Sequence, residues 1–340
     1  DALHENVPEG FELVDALSPE AYGNLADCEY LISRLDIDPD IINHTPNVKF
    51  WQRWGAGFDH VDLKAWGERG IPIATCPGVN SGIVAELAIM LMLAGYRNLL
   101  QINRQLRAGH WPRTEYFGRS FMIKGKTVGV LGLGHIGKKV AALATAFGAN
   151  VIYYDIVRQT EQEEKFGYRF VDFDTLLRES DIYTIHCPLN EETRGMIGAE
   201  QFAQMKPTAM LINTARGPIV DEAALIDALT TGKIATAGLD TYEREPLPKD
   251  HPLLTLDNVV ASAHAGGNTK DNDINMEVAE FQLTSQGAAV DKAWNGREAV
   301  ERFAASAPGG YQAILMDVMM PVMDGFEASR AIRALDRPDA

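Results

Sequence analysis

The chain has 340 residues, 46% hydrophobic and 23% charged, which suits a globular protein of two or three domains. A formal charge of −16 excludes nucleic acid and anionic membrane as main partners, because both need a positive surface. It leaves open a small anion gripped by a local arginine.

Cys28, Cys76 and Cys187 have no paired spacing, which points to reduced thiols in a cytoplasmic protein with no metal site. No secretory signal pattern is present, and the chain opens at Asp1 without a Met, so its start is expected to lie upstream.

Residues 1 to about 98 alternate short apolar runs, such as "YLIS" and "IPIATCPG", with helical patterns. A long apolar helix is predicted from Ser81 to about Arg107; its run "IVAELAIMLMLAG" contains Glu86 and is too short to span a bilayer. From Lys126 a regular alternation sets in. Strands are predicted at Thr127–Leu131, Val151–Tyr154, Ile182–His186, Ala209–Asn213, Ala235–Leu239 and Val259–Ala261. The intervening helices include Lys138–Phe147, Asp174–Glu179 and Glu222–Thr230. Apolar strands separated by amphipathic helices indicate an α/β fold with a Rossmann-type, doubly wound parallel sheet. After about residue 270 the composition shifts towards Ala, Met and Glu.

The segment "TVGVLGLGHIGKKVAALATAFGANVIYYD" carries Gly132, Gly134 and Gly137 between a strand and a helix. The first glycine permits the tight turn, the second admits a pyrophosphate, and the third allows close helix–strand packing. The helix N-terminus then offers N–H groups to phosphate. Ile136, Val140, Leu143, Ala144 and Phe147 form one apolar stripe. Asp155, at the end of the next strand, suits the two ribose hydroxyls and repels a 2′-phosphate, so NAD is favoured over NADP.

Three further segments bear on the chemistry. "INTARGPIVDEAAL" places Arg216 past a strand end, "GLDTYEREPL" places Asp240 and Glu245 past the next, and "VVASAHAGGNT" places His264 past the last. Carboxyl ends of neighbouring strands are where open α/β sheets bind ligands. Arg216 can hold a carboxylate and polarise the adjacent carbonyl, while His264, oriented by Glu245, exchanges a proton with the substrate oxygen. Taken singly, Arg216 also reads as a surface ion pair, Glu245 as a solvated loop acid and His264 as a structural histidine. Glu243 and Arg244 read as solvated neighbours.

With "RWGAGFDHVDL", "CPGVNSGIVAELA" and "IHCPLNEETRGMIG", these segments resemble the D-isomer-specific 2-hydroxyacid dehydrogenases, over roughly residues 1 to 276. That family includes phosphoglycerate dehydrogenases and glyoxylate/hydroxypyruvate reductases. The resemblance implies an NAD-dependent oxidoreductase acting on small 2-keto and 2-hydroxy acids, with Arg216, Glu245 and His264 as the catalytic set. It also implies that His135, Ile136, Asp155, Cys187, Pro188, Thr193, Thr214, Ala215, Asp240 and Gly266 line the NAD site with the glycine turn. Backbone amides at Ala56 and Gly57 would hold the substrate carboxylate. A homodimer built on the cofactor domain is implied too. The corresponding division is a flavodoxin-like substrate domain over 1–98, lacking its first strand, and an NAD-binding domain over 99–269.

From Asp271 the text is similar to a response-regulator receiver, most specifically "AILMDVMMPVMDG", which puts the phosphoacceptor Asp317 at a strand end. The junction falls within Lys270–Met276, where "DNDINM" fits both families. The fragment 270–340 is expected to hold strands near Ala289–Lys292 and Ala313–Met316, without the central one. A tail that packs loosely after about Gly287, with exposed apolar surface, is therefore expected. A histidine-kinase partner applies only if this fragment is functional. With both ends of the substrate domain altered, dehydrogenase activity is expected to be weak.

Overall fold

The computed structural model describes residues 25–33, 38–53, 57–58, 61–75, 77–78, 80–269, 296–306, 331–332, 335 and 337. The chain divides into two compact units; the larger runs from Ala16 to Asn268, and the other includes the residues from Thr269 onward. Ala56, Cys76, Asp271, Asp317 and the two strands predicted in the tail lie outside the described residues.

Within the larger unit, β1 (Tyr30–Ser33), β2 (Phe50–Arg53) and β3 (Ile73–Ala74) form a parallel sheet in that order. Helices α1 (Ile41–His44) and α2 (Leu63–Glu68) connect them. Trp51 and Trp66 meet in their core, with ring centroids 4.9 Å apart.

A second sheet comprises β4 (Thr127–Leu131), β5 (Asn150–Tyr154), β6 (Arg169–Phe170), β7 (Ile182–Ile185), β8 (Met210–Asn213), β9 (Thr236–Leu239) and β10 (Val259–Ala261). Its order is β10-β9-β8-β7-β4-β5-β6, and every neighbouring pair is parallel. The chain winds from β4 out to β6 and then restarts on the other side at β7. The reversal between β4 and β7 opens the crevice in which such sheets take ligands. β4 and β10 have their predicted bounds, and β5, β7, β8 and β9 each differ by one residue at one end. The two-residue β6 was too short to show in the pattern.

Helices cover both faces. On one lie α3 (Ser81–Tyr96) and α5 (His135–Ala146), whose Ala85, Ala88, Met92, Val140 and Ala144 are buried with Val128, Val130 and Ile212. The other carries α7 (Phe173–Glu179), α8 (Ala199–Gln204) and α9 (Glu222–Thr231), which bury Leu176, Leu177, Phe202, Leu225 and Ala228. The short helix α6 (Thr160–Phe166) connects β5 to β6.

Two expectations are corrected. The long helix from Ser81 to Arg107 is two helices, α3 and α4 (Leu99–Arg107), bent by 62°. Asn98 breaks it by taking a left-handed conformation, φ 50°, with its amide donating to Arg119 O and Ser120 Oγ. Asparagine tolerates that conformation better than most residues. Among the described residues no single helix is long and apolar enough to cross a membrane.

On α5 the apolar stripe is narrower than expected. Gly137, Val140, Ala141 and Ala144 are buried, whereas Phe147 caps the helix and is 43% exposed. In the tail, Phe303 on helix α10 (Gly296–Ala305) and Ile332 are buried; most of the segment expected to pack loosely lies outside the described residues. The Arg337 guanidinium lies over the Phe303 ring, 4.4 Å from its centroid, and donates to Ser306 O at 2.8 Å.

Candidate active site

The glycine turn sits at the head of β4, beside the reversal. Gly132 has φ +89°, and a Cβ there would fall 2.7 Å from Cys187 N, on the neighbouring strand connection. A Cβ on Gly137 would fall 2.1 Å from Gly132 O, so α5 presses directly onto the turn. Above Gly134 nothing lies within 4 Å of such an atom. Gly134 caps α5 without a side-chain bond, and the helical bonding starts with Lys138 N to Gly134 O. The earlier amides therefore face an open helix N-terminus, the usual seat of a phosphate.

Asp155 follows β5 and is fixed by the turn itself. Its Oδ2 accepts from Leu133 N at 2.6 Å, and its Oδ1 from Val157 N at 3.2 Å. The His135 ring packs against Gly78, and Ile136 against the core. Past β7, burial pushes the Cys187 thiol up to about 11, which keeps it protonated. Burial likewise lowers His186 to about 3; its Nε2 meets Thr184 Oγ1 at 2.8 Å while Nδ1 is buried without a partner. Thr193 donates to Pro188 O and closes the loop between them. The hydroxyls of Thr214 and Thr241, past β8 and β9, are buried and unpartnered.

An open helix end, a fixed carboxylate and orphaned hydroxyls along one row of strand heads fit a dinucleotide. Among the described residues no cluster suits a metal ion.

The heads of β8, β9 and β10 carry the side chains expected to do chemistry. Asn213 ends β8, 1% exposed; its Oδ1 accepts from Ala215 N at 3.0 Å and its Nδ2 donates to Arg216 O at 2.9 Å. Arg216 in turn donates from Nη1 to Ala215 O at 2.7 Å. Past β9, Tyr242 donates its hydroxyl to Ser262 O at 2.7 Å and its N–H to Glu245 Oε1 at 3.0 Å. The β8 and β9 turns touch backbone to backbone, since a Cβ on Gly217 would fall 1.9 Å from Tyr242 C.

Past β10, His264 takes φ 51°. The 1%-exposed Asp240 carboxylate holds that turn, accepting from Ala265 N at 2.8 Å and Gly266 N at 2.9 Å, while Asp240 O accepts from His264 N. So placed, His264 Nδ1 lies 2.6 Å from Glu245 Oε2.

The electrostatics follow. The bond to Glu245 raises His264, against opposition from burial and from the Arg216 charge. Burial pushes Glu245 up, but the His264 and Tyr242 hydrogen bonds and the Arg216 charge outweigh it, and the net shift is downward. Arg216 is thus within electrostatic reach of both partners. The two side chains remain 48% and 35% exposed, open to a small substrate.

Gly57 follows β2 and accepts from Arg53 Nε at 3.1 Å. Glu243 and Arg244 are exposed, as expected of solvated neighbours.

Several supports escaped the sequence reading. Asn213 was detectable as a polar residue closing an apolar strand. Tyr242 and the Glu222–His251 pair, 2.9 Å apart with Glu222 also accepting from Glu243 N, had no signal in spacing.

Comparison with known proteins decides the family. Residues 89–266 match the D-isomer specific 2-hydroxyacid dehydrogenase NAD-binding domain, over half of the chain. The chain belongs to that family. Residues 269–339 match the response regulator receiver domain. The D-3-phosphoglycerate dehydrogenase of Archaeoglobus fulgidus is 43% identical over 72% of this chain and 46% of its own length. A Korarchaeum cryptofilum glyoxylate reductase is 39% identical over 74% of this chain and 76% of its own. The D-lactate dehydrogenase of Lactobacillus jensenii, solved with NAD⁺, superposes with a TM-score of 0.65 at 31% identity, covering 82% of this chain and 91% of that one. The fold is the Rossmann-type α/β fold of these NAD-dependent D-2-hydroxyacid dehydrogenases, and NAD is the family's cofactor.

Proposed function

We propose that this chain interconverts small 2-keto acids and D-2-hydroxy acids, with Arg216, His264 and Glu245 as its catalytic side chains. The observation that carries the proposal is the 2.6 Å contact between His264 and Glu245, at the strand heads next to Arg216. Bound NADH would supply the hydride for reduction, and bound NAD⁺ would accept it in oxidation. Arg216 grips the substrate carboxylate and polarises the carbonyl, assisted by amides near Gly57 and by Ala56 outside the described residues. Because Nδ1 of His264 is committed to Glu245, Nε2 delivers the proton to the forming alcohol and removes it in the reverse direction.

On the cofactor side, Gly132, Gly134, His135, Ile136 and Gly137 take the pyrophosphate at the head of α5. Asp155 takes the ribose, and Cys187, Pro188, Thr193, Thr214, Ala215, Asp240 and Gly266 border the nicotinamide end. The domain division is 1–98 for substrate, although its helix α3 packs on the cofactor sheet, 99–269 for cofactor and 270–340 for the receiver-like fragment. A homodimer would cover the exposed Leu99, Leu106, Trp111, Phe117 and Met122 along and after α4. The setting is the cytoplasm.

NADH oxidation with a panel of 2-keto acids, in wild type and His264→Ala, tests the proposal. The substitution is expected to lower kcat by about 10²- to 10⁴-fold, the usual worth of a general acid; undiminished turnover would remove His264 from the role. The receiver match supports a second reading, phosphorylation of Asp317, for which acetyl phosphate with Mg²⁺ should label the wild type and not Asp317→Asn.

A further inference from the structure

We infer that Glu163 is a second determinant of NAD over NADP: it engages Arg158, the cation carried on the Asp155 loop. The inference rests on the proposed ribose role of Asp155 and adds a residue to it.

Arg158 lies three residues past Asp155, in the segment joining β5 to α6. An arginine at that place is the group that ordinarily accepts a 2′-phosphate when a Rossmann fold takes NADP. Here the Nε–Nη2 edge of its planar fork is already taken. Nε donates to Glu163 Oε1 at 2.9 Å and Nη2 to Glu163 Oε2 at 2.8 Å. The guanidinium also lies over the Phe170 ring, 5.5 Å from its centroid.

Glu163 is fixed in its turn. Its Oε1 accepts from Tyr153 OH at 2.7 Å, and that hydroxyl accepts from Gln159 N at 2.8 Å. The clamp is therefore tied to β5 through Tyr153, to β6 through Phe170 and to α6 through Glu163. Only 18% of the Glu163 side chain is exposed, against 59% for Arg158. The Arg158 bonds, with that of Tyr153, hold the Glu163 carboxyl down at about 2, so it stays charged across the working range.

A phosphate on the ribose must therefore meet the Asp155 charge and also compete for Arg158 with a carboxylate that already holds one edge of the guanidinium and offsets its charge. Removing either obstacle alone leaves the other in place, so the two residues act jointly.

Calorimetric titration of the full chain with NADPH and with NADH tests this without turnover. Asp155→Asn alone is expected to tighten NADPH several-fold. Asp155→Asn combined with Glu163→Gln is expected to tighten it about 10- to 100-fold further, the worth of a charge-assisted fork on a phosphate. Adding Arg158→Ala to that pair should abolish the further gain, while NADH affinity serves as the control for folding. In the wild-type background Arg158→Ala should leave NADPH affinity unchanged.

The inference is overturned if Glu163→Gln adds nothing beyond Asp155→Asn, or if the gain survives loss of Arg158, which would make it a change of net charge. A weakening of NADPH by Arg158→Ala alone also overturns it, because the arginine would already be reaching the phosphate. Wild type that binds neither nucleotide removes the cofactor reading itself, a result distinct from the others.

Discussion

The two halves of the seven-stranded sheet prepare their strand heads in different ways. Around β4 and β5 the working surface is backbone: a left-handed Gly132, a Gly137 with no room for a Cβ, and a bare helix end, with one carboxylate alongside. Around β8, β9 and β10 it is side chain, and each proposed catalytic group stands on a turn tied by a buried polar residue. Asn213 ties the Arg216 turn, Asp240 the His264 turn, and Tyr242 the Glu245 carboxylate. Backbone recognition needs space, which glycines provide on their own. Side-chain chemistry needs orientation, which a second layer of hydrogen bonds must supply.

Substitutions in each half sharpen the contrast. Gly137→Val should do most damage, because its Cβ would lie 2.1 Å from Gly132 O and the neighbour is backbone that cannot yield. A stability loss of about 3 kcal/mol is expected from such overpacking, with NADH binding lost in calorimetry. Asp240→Ala comes next. It strips a buried carboxylate from two amides, so about 2 kcal/mol should be lost in denaturant unfolding. Its turnover should fall further than its NADH affinity; equal losses would erase the distinction between the halves. Asn213→Ala should be mildest, about 1 kcal/mol in stability, with KM for the keto acid rising more than kcat falls.

The same contrast explains how much the sequence disclosed. Glycine spacing and strand periodicity located the β4 turn and six of the seven strands to within a residue, because both are local properties of the chain. Arg216, Glu245 and His264 were found by residue type at strand ends, and the adjacency of β8, β9 and β10 explains why they gather. The break at Asn98 was hidden, since apolar periodicity continues across it and one residue's φ decides the bend. The Asp240 bonds to the His264 turn and the Glu163 hold on Arg158 were equally hidden. Both depend on which side chains meet after folding, and no spacing rule encodes that.

The central claim is that Glu245 and His264 work as one unit beside Arg216, and the pH dependence of keto-acid reduction tests it most directly. The Glu245 bond raises His264 above its ordinary value of 6.5, and in the proposed mechanism reduction uses the protonated ring. In wild type, kcat/KM should therefore be flat at low pH and fall as pH rises through that raised value, while the oxidation direction gains over the same range. In Glu245→Gln the fall should move to lower pH, since the anionic acceptor is gone. A fall at the same pH in both proteins would contradict the account.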